Sequence, residues 1–504
     1  MPLTTLESNL AQHLDFVPWD SLPPTFRDAA VIVKALGLEY LWIDSLCIIQ
    51  DSTEDWELES SKMANVYGGA YVTIAAVSSP DFRGGCFSKS GKPDICHRIR
   101  REEEGLDVII GLRDSAASSP DKLNISAELP LLSRGWVYQE RMLSRRLLYC
   151  TRSELQLICR QGRGCECGRG SAALHRIETA KTYPTARDKQ AYSAPLFAQM
   201  NPGQGRFGDL EAAIHWHKVV SEYSKLELSY ESDKLPALSG CAKDISLLAG
   251  GEYLAGLWRH TLARDLLWDV HTQSSSRRPA EWRAPSWSWA SVKATGGVTF
   301  AELAESAHLR TFLDRVTAIE CQPRGKDPTG SLQSASIRLR TRLYEVSMRR
   351  VCYADLKIRS RGRLKHLIES QDMTKSTDGT PIPDRCTFED RGLPLWGGTI
   401  RVGLNPDFEY GLDTFPWNRA KKDQGCYQAK IFLLHVCDSQ VERVGKEGVD
   451  YFLALKRNSQ APPGDVYERV GLVRVIGKSD VRQRWLVEVL DQNYRTDEQE
   501  VILV

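Results

Sequence analysis

The sequence predicts an α/β protein whose first unit is built on a parallel or mixed sheet, followed by a helical middle segment and a β-rich C-terminal part. Three observations lead there. Helix-type and strand-type patterns alternate with short links between residues 24 and 77. Apolar residues recur at helical spacing from about Phe207 to Leu267. Beyond Val292, short β-rich runs are separated by Gly, Pro, Asp and Asn. The expected divisions are 1–170, 171–292 and 293–504, and two or three units suit a chain of 504 residues.

Each early element has a local cause. In LPPTFRDAAVIVKALG, Thr25 and Asp28 sit near the start of a helix, Ala30, Val33 and Leu36 supply its apolar face, and Gly37 offers a left-handed exit. A helix over about Phe26–Leu36 follows. Tyr40, Leu41, Trp42 and Ile43 form a continuous apolar run, the pattern of a strand covered on both faces, and Asp44 marks its end. STEDWELESSKMANVYGG predicts a helix capped by Ser52 or Thr53. Its first turn is acidic, and Trp56, Glu59, Met63 and Tyr67 fall at helical spacing before Gly68 and Gly69. AYVTIAAVSS predicts a buried strand. The pattern weakens from Asp81 to Asn124, as in a surface excursion, and resumes with a short helix around Trp136, Gln139, Glu140 and Leu143. RLLYC and ELQLIC then predict two strands joined around Thr151 to Ser153.

Leu254, Leu257, Leu262 and Leu266 in GEYLAGLWRHTLARDLLW suggest core-facing helical turns. Trp42, Trp136, Trp282, Trp287 and Trp289 are expected in cores, since large rings bury much apolar area and an indole needs only one partner. TAIECQPR, SASIRLRTRLYEVSM, QAKIFLLHV, DYFLALKR and ERVGLVRVI predict strands.

Composition narrows the function. Apolar residues make up 42% and charged residues 26%, which suits a globular chain. With 66 basic and 65 acidic side chains the net charge is +1, so no global field steers the chain to nucleic acid or an anionic membrane. No secretory signal and no spanning segment is read. The thirteen cysteines are therefore expected as reduced thiols in a soluble cytoplasmic protein. Cys150, Cys159, Cys165 and Cys167 lack the paired spacing of structural zinc sites, so no metal is expected. Cys86 with Cys96 and His97 is a weak nucleophile-and-base signal that lacks an orienting third group.

The segments LPPTFRDAAVIVKALGLEYLWIDSLCIIQDSTEDWELESSKMANVYGGAYVTIAAVSS, RGWVYQERMLSRRLLYC, YLAGLWRHTLARDLLW and WRAPSWSWASV, in this order, resemble the fungal heterokaryon-incompatibility (HET) domain family. The LSYCWG-like strand that ordinarily precedes the LPxTFRDA helix in that family has no counterpart in residues 1–21. The resemblance implies a three-layer-like α/β domain, distantly TIR-like, acting as an effector of fungal non-self recognition and programmed cell death. By fold-level analogy with TIR domains it also brings in NAD as a substrate cleaved with the help of a glutamate. A non-catalytic protein that self-associates or binds a protein partner is the alternative, as is a different small-molecule reaction on the same scaffold.

Four acids are the catalytic candidates. Asp44 is placed at a strand end, where α/β proteins build sites, Glu57 and Glu59 open the next helix, and Glu140 arrives from a distant segment. For NAD cleavage, Glu59 is the preferred carboxylate, with Glu57 and Glu140 close behind, acting on an oxocarbenium-like ribosyl centre. Trp56 or Trp136 would stack on the base and Arg134 or Arg141 would meet the phosphates. No G-x-x-x-x-G-K-[ST] loop is present, and nucleotide binding rests on the analogy alone. A purely structural account stays open: Asp44 caps the next turn through the Ser45 and Leu46 amides, and Glu140 pairs with Arg134 or Arg141.

Overall fold

The computed structural model describes residues 3–87, 95–101, 106–112, 129–151, 155–159, 162–165, 209–270, 276–301, 303, 310–351, 386–388, 401–406, 418–419, 426–439, 448–458, 465–477 and 495–504. The chain divides into two compact units. The first comprises Met1–Phe207, Leu226–Gly250 and Gly325–Ser331; the second comprises Gly208–Lys225, Gly251–Arg324 and Leu332–Val504.

The first unit opens with α1 (Leu10–Asp15), α2 (Pro24–Ala35), the single turn α3 (Asp44–Cys47) and α4 (Thr53–Gly69). Pro24 begins α2, where its missing N–H costs nothing, and Gly37 at φ +69° supplies the left-handed exit. Ser52 caps α4 by accepting from the Asp55 amide at 3.3 Å. Strand β1 (Thr73–Ala75) follows, then the antiparallel pair β2 (Ile95–Arg101) and β3 (Leu106–Leu112). Helix α5 (Gly135–Leu143) leads into β4 (Arg146–Cys150), β5 (Leu155–Cys159) and β6 (Gly162–Cys165).

The sheet order is β1-β4-β5-β6, with β1 parallel to β4 and the remaining pairs antiparallel, so the expected mixed sheet is present. Alternate residues point to opposite faces of a strand. Ala75, Val77, Leu147, Tyr149 and Ile158 accordingly pack with Val137 of α5, while Ile74, Ala76, Leu148, Cys150 and Leu155 pack with Ile32 of α2. One helix thus covers each face, in three layers. The chain then runs through α6 (Asp209–Tyr223), which belongs to the second unit, and returns to the first with α7 (Ser239–Ala249).

In the second unit, the hairpin β7 (Tyr253–Leu254) and β8 (Leu257–Trp258) is followed by α8 (Leu262–Asp265) and by β9 (Trp268–Val270). Next come β10 (Ser276–Arg277), paired with β11 (Lys293–Ala294), β12 (Val298–Phe300), paired with β9, and the turn α9 (Arg310–Leu313). A sheet of ten strands completes the unit. Its members are β13 (Val316–Pro323), β14 (Leu332–Thr341), β15 (Tyr344–Val351), β16 (Cys386–Phe388), β17 (Arg401–Pro406), β18 (Asn418–Arg419), β19 (Cys426–Ser439), β20 (Gly448–Arg457), β21 (Val466–Gly477) and β22 (Gln499–Leu503). Their main order is β13-β14-β22-β21-β20-β19-β15-β16.

Tryptophans stitch this unit together. The Trp216 and Trp289 indoles each donate to the Gly256 carbonyl at 2.8 Å, and Trp268 donates to Trp287 O at 2.8 Å. The buried Arg469 stacks 3.6 Å from the Trp268 ring centroid and donates to the Leu266 and Trp268 carbonyls.

Three expectations need correction. Tyr40–Ile43 is not a strand: Tyr40 is 88% exposed, no partner strand covers the run among the described residues, and Asp44 opens α3 instead of closing a strand. An apolar run becomes a buried strand only if other elements arrive on both its faces. GEYLAGLWRHTLARDLLW is not a continuous helix. Positive φ at Gly251, Ala255 and Gly256 breaks it into a hairpin, a 3₁₀ turn and one α turn, although all four of its named leucines are buried. Trp282 is 48% exposed, whereas Trp287 and Trp289 are fully buried.

Candidate functional site

The sequence between Ile43 and Ser52 is held in place by the extreme N-terminus. The Thr5 amide donates to Ser45 O and the Gln50 amide donates to Thr5 O, both at 2.9 Å, while the Thr5 hydroxyl donates to Leu46 O at 2.7 Å. Thr5 also forms an isolated parallel bridge with Ile49, to which the Gln50 bond belongs. These contacts set Asp44 at the start of α3, where its Oδ1 accepts from the Ser45 amide at 2.7 Å. Half of the structural account of Asp44 therefore holds, since the Leu46 amide donates to Ile43 O instead.

Helices α4 and α5 bring the other components. Tyr67, one turn beyond Met63 on the buried face of α4, packs edge-on against Trp42 with ring centroids 5.7 Å apart. Its hydroxyl lies within hydrogen-bonding reach of the Glu140 carboxylate of α5. Burial, and next the negative charge of Asp44, push the Glu140 carboxyl up from 4.5 to about 7; the nearby Arg134 cation and the Tyr67 hydroxyl act against that rise. The Tyr67 phenol is driven well above its ordinary value, first by burial and then by the charges of Glu140 and Asp44. A carboxyl that changes charge near neutrality, next to a second carboxylate, is the arrangement from which acid–base chemistry is built.

The remaining candidates sit apart from this cluster or at its margin. Glu59 forms a 2.7 Å ion pair with Lys62. Its charge, with that of Asp44, contributes to raising the Cys47 thiol, after the larger effect of burial. Glu57 is exposed on α4, on the side nearest Gly325. Trp56 meets Trp136 edge-on, with centroids 6.3 Å apart, and the Trp136 indole donates to Asp233 at 2.9 Å. Arg134 is exposed beside Glu140, whereas Arg141 is buried and donates through Nε to the Tyr149 hydroxyl at 2.7 Å. Asp44, Glu140 and Arg134 thus converge, and Arg141 is engaged in the core.

Tyr67 and Trp42 join the cluster without having been singled out for chemistry. The helical spacing of Trp56, Met63 and Tyr67 was the available signal, because it places Tyr67 on the face that α5 covers. The neighbouring Gln139 turns from the cluster to α7, its Oε1 accepting from the Gly240 amide at 2.6 Å. Among the described residues, no group of three or more His, Cys, Asp or Glu side chains is placed to hold a metal ion. The side chains of Cys96, His97, Cys165 and Cys167 lie outside the described residues. No helix among the described residues is long and apolar enough to cross a membrane.

Residues 4–140 match the family model described as heterokaryon incompatibility protein (HET), a span that contains Asp44, Glu57, Glu59, Tyr67 and Glu140. No curated protein and no solved structure matches the chain.

Proposed function

With residues 4–140 identified as a HET domain, we propose that the chain is an intracellular effector of fungal non-self recognition and programmed cell death, and that it acts by hydrolysing the nicotinamide–ribose bond of NAD. The observation that carries the chemical part is the Glu140 carboxyl, within hydrogen-bonding reach of the Tyr67 hydroxyl and pushed up to about 7 first by burial and next by the charge of Asp44.

N-glycosidic hydrolysis of NAD builds positive charge at the ribosyl carbon while nicotinamide departs as a neutral base, so the leaving group needs no proton. What the reaction needs is negative charge beside the oxocarbenium-like centre and a base for the incoming water. Asp44 supplies the first. Glu140, in its ionised fraction, takes the proton from water and returns it to solvent, and its pKa near neutrality suits that exchange. Tyr67 steadies the Glu140 carboxylate, and the exposed Arg134 is available to the diphosphate.

The test is release of nicotinamide from NAD by the purified full chain. Turnover is expected in the wild type and lost in both Glu140→Gln and Asp44→Asn. Turnover that survives both but vanishes in Glu59→Ala would move the reaction to Glu59, and no turnover at all would leave the enzymatic reading without support.

A second reading, assembly through self-association, rests on a separate observation. Helix α1 buries none of its side chains, and Leu14 and Phe16 are 78% and 62% exposed. Light scattering over a concentration series is expected to show a mass that rises with concentration. A strict monomer throughout would reject this reading.

A further inference from the structure

Cys86 and Cys150 come from distant parts of the sequence and meet in the layer between α2 and the sheet. Cys86 lies in the turn at residues 82–87, which the first turns of α2 hold through four hydrogen bonds from backbone amides and a longer one from the Cys86 thiol, which donates to Thr25 O at 3.7 Å. The Thr25 amide donates to Phe82 O at 3.1 Å, and the Gly85 amide donates to Thr25 Oγ1 at 3.1 Å. The Cys86 and Phe87 amides both donate to Asp28 Oδ2, at 2.8 and 3.3 Å. Gly85 has φ +80°, and a Cβ there would come within 2.6 Å of Asp28 Oδ2, so the turn requires glycine. Cys150 ends β4, a strand flanked by β1 and β5.

Both cysteines are buried and share one apolar cluster with Ile32, enclosed by Ile74, Ala76, Leu148 and Leu155. The Cys86 thiol lies within hydrogen-bonding reach of Cys150, and neither residue is in a disulfide.

We propose that Cys86 and Cys150 form a paired oxidation site, at which a two-electron oxidant of the peroxide class converts the two thiols into a disulfide that staples the 82–87 turn to the end of β4. In the first step one sulfur attacks the peroxide O–O bond; that bond breaks, water leaves, and the sulfur becomes a sulfenic acid. In the second step the other sulfur attacks the sulfenic sulfur, the S–S bond forms, and a second water leaves with the remaining thiol proton. Two electrons pass from the thiols to the peroxide.

The resting fold restrains this reaction. The adjacent Cys150 thiol, burial and the charge of Asp28 all hold the Cys86 thiol in its protonated form, and the thiolate is the nucleophile. Attack therefore waits for the turn to leave α2, because β4 is fixed by a neighbour on either side. Oxidation should be slow, with a rate that saturates as peroxide is increased, and loosening the turn with Asp28→Ala should speed it.

The experiment treats the full wild-type chain with hydrogen peroxide, alkylates the remaining thiols, digests without reduction and reads the peptides by mass spectrometry. The expected result is loss of both singly alkylated peptides and appearance of the Cys86–Cys150 pair, lighter by two hydrogens and reversed by dithiothreitol. The wild-type readout needs no variant to fold. Recovery of both cysteines as alkylated thiols after other thiols have oxidised, or of Cys86 joined to a different cysteine, would overturn the proposal.

Discussion

Replacing Glu140 with glutamine removes one ionisation and keeps nearly the same shape. The folded state holds the Glu140 carboxyl at about 7, against 4.5 for the free side chain, so between those values the native chain binds a proton that the unfolded chain has released. Stability must then fall as pH rises through this window, because the proton-rich state is the folded one. The contribution is fully present below about 4.5 and gone above about 7. At about 1.4 kcal/mol per tenfold change in proton affinity, ionising Glu140 costs the fold on the order of 3 kcal/mol, of which about 2 to 3 kcal/mol is lost between pH 5 and pH 8. Glu140→Gln lacks this slope, so its stability relative to wild type should rise by that amount over the same interval. Pulse proteolysis in urea, with peptides from α4 and α5 read by mass spectrometry, isolates the first unit from the second. An equal difference between the two proteins at both pH values would refute the electrostatic account of this site.

The neighbours of Glu140 should move the same window in opposite directions. Asp44→Asn removes a like charge and shifts the loss of stability to higher pH no longer, drawing it down toward the ordinary glutamate range; Arg134→Ala removes a favourable charge and shifts it upward, both read in the same assay. In the second unit, Asp265 accepts from His217 Nε2, the Trp258 amide and the Thr261 hydroxyl at 2.7, 2.8 and 2.8 Å. Asp265→Ala leaves those donors unpaired and should cost roughly 3 kcal/mol by urea denaturation; a loss below about 1 kcal/mol would show that water or repacking replaces the carboxylate. Gly256 has φ +95°, and a Cβ there would lie 2.7 Å from Trp289 Nε1, so Gly256→Ala should lower the thermal midpoint of this unit and cost about 2 kcal/mol. Peroxide-oxidised chain carrying the Cys86–Cys150 bond should resist urea by up to about 4 kcal/mol more than reduced chain, since the bond closes a long loop in the unfolded state.

Local chemistry was legible in the residues themselves. Pro24 and Gly37 bound α2, Ser52 caps an acidic first turn in α4, and short apolar or β-rich runs mark most strands of the four-stranded and ten-stranded sheets. These signals act over a few residues and need no partner. The order of the segments from LPPTFRDA to RGWVYQER likewise pointed to the family whose model matches residues 4–140. What could not be read locally depended on which distant groups arrive. Tyr40–Ile43 has the apolar content of a buried strand, but among the described residues no strand pairs with it, Tyr40 stays exposed and Trp42 packs on Tyr67 from one side, and YLAGLWRH turns on backbone angles that its leucine spacing does not encode. The four acids were visible as residue types. Asp44 and Glu140 share a field with Tyr67 and Arg134, while Glu59 pairs with Lys62, because three-dimensional packing sets the distances on which charge interaction and desolvation depend.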